Sequence, residues 1–277
     1  MKNNILITKN SGDKVRFEES KLRNSLSRAG ANERTIQLVI NELDLYILEG
    51  MTTHKVYKKA YSILSKISNR SAGRYRLKKA ILELGPTGFP FEKFVGALLQ
   101  HQGFEVKTGQ IIQGKCVQHE VDVVAENENT IIVVECKFHR DGNRKSDVKV
   151  PLYIRSRFND IYDQWKKDGV IGNRNFEGWV VTNTRFTTDA EEYGLCSGMK
   201  MVSWDFPAQD SLRNQIDNSG LHPITSLKSL TAKEKQKILE AGFVLCKEIT
   251  ENILLKNMVA QNKIKRVLLE AQSLSDY

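Results

Sequence analysis

Residues 131–138 read IIVVECKF, an apolar run that takes in a glutamate and, two positions on, a lysine. Side chains alternate along a strand, so Ile131, Val133, Glu135 and Lys137 share one face, and Ile132, Val134, Cys136 and Phe138 share the other. Upstream, Asp122 stands in VQHEVDVVAE, and a polar turn around residues 126–129 separates the two runs. A loop of two or four residues sets Glu120 opposite Glu135 and Asp122 opposite Val133, with Asp122 diagonal to Glu135 and on its face. Two ionised carboxylates so close repel each other, and a divalent cation between them removes the repulsion. Hard oxygen donors suit Mg²⁺ or Mn²⁺, which keep waters and accept phosphate oxygens. A neighbouring lysine can help deprotonate water or steady the charge of a phosphoryl transition state. The three residues therefore have the parts for phosphodiester hydrolysis. They also suit a cross-strand ion pair on a half-solvated sheet, and the spacing alone does not choose.

The elements that must position them form the middle of three segments. The sequence LGPTGFP at 84–90 is the clearest break, with two prolines and two glycines in seven residues. We place segments at 1–85, 86–206 and 207–277. The first opens as a hairpin, ILIT and KVRFE around NSGD, followed by helical patterns ending near Gly30, Gly50 and Gly85. The second reads helix, three strands, helix, strand, helix, strand, with helices near 157–168 and 187–196, a mixed α/β domain. The third begins with a linker-like stretch over 206–224 and continues as helices, including a long one running on from residue 248. There Leu227, Leu230, Ile238 and Leu239 face inward, and Lys233, Lys235 and Lys237 face solvent. Ile253, Met258, Ile264 and Val267 form either a dimer seam or an intrachain contact.

The net charge of +9 is uneven: +9 over residues 1–84, −3 over 85–220 and +3 over 221–277. A basic module beside an acid-bearing middle suits a protein that meets polyanions. No apolar run approaches the ~20 residues that cross a bilayer. Four cysteines lack metal-type spacing and read as reduced thiols of a cytoplasmic protein, with Cys136 as core.

Asp122 followed by Glu135-Cys136-Lys137 at the end of an apolar strand resembles the PD-(D/E)XK nuclease signature. With GPTGFPFEKFVGALLQHQGFEV before it and WVVTNTRFTTDAEEYGLCSGMKMVSWD after it, residues 86–206 resemble the Mrr-like restriction endonucleases. Val121 replaces the signature's proline. The resemblance implies a restriction-endonuclease-like α/β/α domain. It also implies catalytic roles for Glu92, Asp122, Glu135 and Lys137, with Asp122 and Glu135 binding the metal. Glu92 equally suits the dipole of a helix beginning near Pro90. Glu120 could tune Glu135, His119 faces away as a structural residue or phosphate contact, and Gln164 is more often an ordinary surface residue.

The stretch ILITKNSGDKVRFEESKLRNSLSRAG resembles the ATP-cone domain, on Lys9, Gly12, Val15, Phe17, Glu18, Lys21 and Leu22, with later helices also similar. It implies a mostly helical module over residues 3–84 that binds ATP or dATP through Lys9, Val15, Lys21, Thr53, Tyr57 and Lys78. No Walker loop is present, so motor-like ATP hydrolysis is not expected. The combined expectation is a metal-dependent DNA endonuclease regulated by adenine nucleotide, with a homodimer plausible. The alternative is a non-catalytic, nucleotide-sensing DNA-binding regulator.

Overall fold

In the computed structural model, which describes residues 5–9 and 12–275, β1 (Leu6–Thr8) and β2 (Lys14–Arg16) form an antiparallel hairpin. Asn10 and Ser11 of its expected turn lie outside the described residues. Helices α1 (Glu19–Arg28), α2 (Glu33–Asp44), α3 (Thr53–Ile67) and α4 (Asn69–Tyr75) come next. Their apolar stripes, including Leu26, Val39 and Leu64, bury against Ile5 and Ile7 in one core. Side-chain caps start α2 and α3: Asn32 accepts the Thr35 N–H before α2, and Thr52 accepts the Lys55 N–H before α3. The next helix, α5 (Leu77–Leu82), packs elsewhere. Leu77, Ile81 and Leu84 join the central core, and the Thr225 hydroxyl donates to the Ala80 carbonyl at 2.6 Å. The last helix before the Gly-Pro break is thus docked on elements from the far side of that break.

The middle of the chain runs α6 (Phe89–His101), β3 (Glu105–Gln113), β4 (Gln118–Glu126), β5 (Thr130–Lys137), β6 (Lys145–Ser146) and α7 (Lys149–Lys167). It continues with β7 (Asn175–Thr182), β8 (Arg185–Phe186), α8 (Thr188–Cys196) and β9 (Lys200–Val202). Strands order as β3-β4-β5-β7-β9, antiparallel up to β5 and parallel beyond it, while β6 pairs with β8 apart from this sheet. On one face Phe91, Phe94 and Leu98 of α6 cover Val123, Ile132 and Val134. On the other, Ile154, Phe158 and Ile161 of α7 and Ala190 of α8 cover Val121, Val133 and Val180. This is the mixed α/β architecture expected, with helices on both faces of a mixed sheet.

Two expected boundaries need correction. Helix α7 starts at Lys149, not near 157, because Pro151 sits in its first turn, where a missing N–H costs nothing, and Asp147 Oδ1 accepts the Lys149 N–H at 3.0 Å. The stretch over 206–224 is not simply a linker. It contains α9 (Leu212–Ser219), capped by Ser211, ended by Gly220 at φ 66° and buried through Leu212 and Ile216.

The C-terminal part comprises α10 (Ala232–Glu240), α11 (Glu251–Lys256) and α12 (Gln261–Ser275). Thr231 and Glu234 form a capping box at the start of α10. The long helix expected here is broken at Met258, whose φ is +60°. Lys235 faces inward rather than outward: it is buried and its ammonium donates to the Thr225 carbonyl at 2.8 Å. Burial pulls its pKa down to about 8. Ile264 and Val267 are buried within the chain and make an intrachain contact, Ile253 packs partly buried on the same core, and Met258 stays exposed. Among the described residues no helix is long and apolar enough to cross a membrane.

Candidate functional site

Strand β5 carries Glu135 and Lys137 at its C-terminal end, and β4 carries Asp122. The observed register is Val124↔Val133 and Val123↔Val134, two residues away from the expected pairing. Asn127 causes the shift. Its N–H reaches the Thr130 carbonyl and its Oδ1 accepts from the Asn129 and Thr130 N–H groups, which closes a tight turn on Glu128 and Asn129. Continued by one step, this register brings Asp122 opposite Glu135 rather than diagonal to it.

The ladder between β4 and β5 ends at Val123↔Val134, and the strands part there. The pleat also reverses across Asp122: Val121 packs under α7, whereas Val123 packs under α6. Gly109, the residue facing Asp122 on β3, has φ +61° and drops out of the pairing. Strand parity alone therefore does not place Asp122; the kink does. Its Oδ2 sits in the fork and accepts the Cys136 backbone N–H at 2.6 Å.

Glu135 is buried, and both of its oxygens are held: Oε1 by the Lys137 ammonium at 2.5 Å and Oε2 by the Arg157 guanidinium of α7 at 2.8 Å. Arg157 also donates to the Glu120 carbonyl, which ties α7 to the edge of the fork. Glu92, in the first turn of α6, approaches from the other face. Burial raises its pKa to about 7, helped by the charges of Asp122, Glu120 and Glu135. Burial likewise raises Asp122 to about 6, with Glu135 adding to the rise and the Cys136 N–H, Lys137 and Arg157 opposing it. Glu92, Asp122, Glu135 and Lys137 are thus brought into one electrostatically coupled group. The ring of Phe91 meets Phe138 at 5.7 Å between centroids and pins the turn bearing Glu92 to the end of β5.

The residues flanking this group divide clearly. His119 Nε2 pairs with Asp160 of α7 at 2.7 Å and is structural. Gln164 directs its amide to Asp168 within its own helix. Arg157 and the pair Thr182-Asn183 were not foreseen. The Thr182 hydroxyl donates to the Lys137 carbonyl at 2.8 Å, and the Asn183 side chain bonds both the N–H and the carbonyl of His139 at 2.8 and 2.7 Å. The signal for these two was present in VVTNT, polar residues at the carboxyl end of a parallel strand. No comparable signal marks Arg157, whose role depends on where α7 docks. Arg157→Ala leaves Glu135 with one partner at a buried position, and we expect about 2–4 kcal/mol of lost stability in urea unfolding.

Of the residues implied by the ATP-cone resemblance, Lys21, Tyr57 and Lys78 line one cavity of about 410 Å³. Lys9, Val15 and Thr53 are not among its lining residues. Lys9 is exposed beside the hairpin turn, Val15 packs on the N-terminal core, and Thr53 begins α3.

A protein of Archaeoglobus fulgidus whose function is uncharacterised is 33% identical over 178 residues, 63% of this chain and 96% of its own length. The crystal structure of AF1548, a protein of unknown function, aligns with 31% identity over 68% of this chain and 98% of that one, at a TM-score of 0.56. The chain belongs to the AF1548-like family. The AF1548-like C-terminal family matches residues 222–275, and the restriction endonuclease family matches residues 85–153. In this AF1548-like protein the endonuclease match contains Glu92, Asp122, Glu135 and Lys137; both matches lie beyond residue 84. Can2 of Sulfobacillus thermosulfidooxidans, solved with cyclic tetra-adenylate, shares 15% identity over 72% of this chain and 54% of its own, at a TM-score of 0.34 that is too low to inform the fold or the site.

Among the described residues no three His, Cys, Asp or Glu side chains group closely enough to hold a metal on their own. The donor set nonetheless fits a hard divalent cation. Asp122 and Glu135 bring two carboxylates to one fork, and Asp122 is raised first by burial and next by the charge of Glu135. Mg²⁺ takes one or two carboxylates and completes its shell with water and phosphate oxygens. A cation there competes with Lys137 and Arg157 for Glu135.

Proposed function

We propose that the chain is a metal-dependent DNA endonuclease, with Asp122, Glu135, Lys137 and Glu92 as its catalytic residues. One observation carries this reading: Asp122 and Glu135 meet at a strand fork with the Lys137 ammonium 2.5 Å from Glu135, inside the segment matched by the restriction endonuclease family. Asp122 and Glu135 hold Mg²⁺ or Mn²⁺. The bound ion supplies Lewis acidity at the scissile phosphate. Lys137, kept in place through its own carbonyl by Thr182, offers its ammonium to the phosphate's developing charge. Glu92, titrating at about 7, is poised to take a proton from water or return one to the leaving oxygen near neutral pH. The unpaired cysteines agree with a cytoplasmic protein.

The basic N-terminal module, in this reading, binds ATP or dATP and regulates cleavage. Its support is the hairpin-and-helices fold together with a cavity that gathers Lys21, Tyr57 and Lys78. The non-catalytic, nucleotide-sensing DNA binder draws on one specific observation, that Arg157 already occupies an oxygen of Glu135. Supercoiled plasmid incubated with Mg²⁺ or Mn²⁺, with and without ATP, separates the two. Cleavage by the parent chain that disappears in Glu135→Ala is expected. Equal cleavage by both proteins would exclude this site, and DNA binding without cleavage in any condition would favour the regulator.

A further inference from the structure

The cavity that gathers Lys21, Tyr57 and Lys78 is not confined to the N-terminal module. Its lining continues through Trp204, just past β9, and through Arg213 and Asp217 of α9. Five cationic side chains, Lys21, Arg28, Arg74, Lys78 and Arg213, meet there with the single carboxylate of Asp217. Three aromatic rings are also present. Tyr57 and Tyr75 stack at 4.8 Å between centroids, and the Lys78 ammonium lies 6.0 Å from the Trp204 ring. A space of about 410 Å³ falls within the roughly 300–1,000 Å³ range of small-ligand pockets. It is concave and too small for a duplex, whose phosphates call for an open basic stripe. Clustered cations beside flat apolar rings match one ligand class, a nucleotide with several phosphates: the cations meet the charge and the rings meet the base.

We propose that a nucleoside polyphosphate is held between the N-terminal module and the nuclease domain, with Trp204 and Arg213 forming the second wall of its site. This rests on the nucleotide-binding reading above and adds to it the nuclease-side residues. The geometry gives that wall a direct mechanical neighbour. The Trp204 N–H donates to the Thr184 carbonyl at 3.0 Å, and the Arg213 N–H donates to the Trp204 carbonyl at 3.4 Å. The Thr184 hydroxyl lies 3.3 Å from that of Thr182, which in turn holds the Lys137 carbonyl at 2.8 Å. Nucleotide bound to Arg213 therefore acts on the same backbone segment that supports the catalytic lysine. An effector changes an equilibrium only through differential contacts, and a ligand gripping both modules makes such contacts when they are docked and loses them when they part.

The test is calorimetric titration of the full chain with ATP and with dATP, on the parent, Lys21→Ala, Arg213→Glu and the milder Arg213→Lys. Arg213 is only half-buried, so the folded state of each variant can be verified by its melting curve. We expect Arg213→Glu to weaken binding at least tenfold, Arg213→Lys to keep most of it, and Lys21→Ala to weaken it as well. Nucleotide should also slow hydrogen exchange over residues 182–184 and 203–213 in the parent and not in Arg213→Glu. Weakening by Lys21→Ala with unchanged affinity in Arg213→Glu overturns the shared site and leaves the nucleotide reading standing. No binding of either nucleotide to the parent overturns both. Lost DNA affinity with unchanged ATP affinity in Arg213→Glu assigns this wall to DNA and also overturns the proposal.

Discussion

Lys137→Ala is expected to lower metal-dependent cleavage of plasmid DNA by about 10²–10⁴-fold, the range found when a positioned proton-transfer or charge-stabilising group is removed. The argument is local. Lys137 ends β5 with its side chain about one-third exposed, so its ammonium faces the mouth of the fork rather than the core. Its backbone is held independently by the Thr182 hydroxyl, and Glu135 keeps Arg157 as a partner once the ammonium is gone. The fold should lose about 1–2 kcal/mol, less than in Arg157→Ala, because the lysine is partly exposed and its removal leaves Arg157 tied to both Glu135 and the Glu120 carbonyl. Urea unfolding beside the cleavage assay separates the two effects. Lys137→Arg should not restore activity, since a planar guanidinium cannot occupy the ammonium's place as a compact charge. A parent-like cleavage rate in Lys137→Ala would remove this lysine from the mechanism.

The second large effect has the opposite sign for stability. Asp122 titrates at about 6 in the fold, against an ordinary value of 3.8, chiefly because it is buried and next because Glu135 is charged. Between those two pH values the folded chain keeps a proton that the unfolded chain has released. Stability of the metal-free protein therefore falls as pH rises through this window, and the loss is complete above it. Glu92, raised to about 7, extends the decline towards neutrality. Asp122→Asn removes the charge but keeps an oxygen for the Cys136 N–H. In EDTA at pH 7.5 we expect it to be more stable than the parent by on the order of 1–2 kcal/mol after allowance for solvent screening, with the gap closing near pH 4. The same substitution should abolish cleavage. Mn²⁺ should raise the melting temperature of the parent and leave Asp122→Asn unmoved, because ligand binding stabilises only the state that holds the site. A variant less stable than its parent in EDTA at pH 7.5 would show that burial does not disfavour the charged form of this carboxylate.

Much of this arrangement was legible in the order of residues. Alternation along IIVVECKF separated Glu135 and Lys137 from Cys136, and the structure buries Cys136 under α6 as that alternation requires. The Gly-Pro break, the N-terminal hairpin and the amphipathic helices came from local rules that depend on near neighbours only. So did the mixed α/β class, since strand and helix periods differ within a few residues. The family signature brought Glu92, Asp122, Glu135 and Lys137 together as candidates, and the fold sets them in one group.

What local rules did not reach depended on contacts between distant segments. The hairpin register turned on a single Asn127 side chain, and a shift of two residues kept strand parity while changing which residue faces Glu135. The position of Asp122 came from a kink shared with Gly109 on another strand. Arg157 lies on a helix that reaches Glu135 only after α7 packs on the sheet, and Lys235 points inward onto the Thr225 carbonyl, a partner ten residues upstream. The apparent linker over 206–224 became α9 once Leu212 and Ile216 found a core to enter, and α9 then supplied Arg213 to the basic cavity. Periodicity and turn chemistry are properties of a short stretch and can be read from it. The partner of a buried charge is chosen by the whole chain, because the cost of leaving that charge unpaired is met only when distant elements close around it.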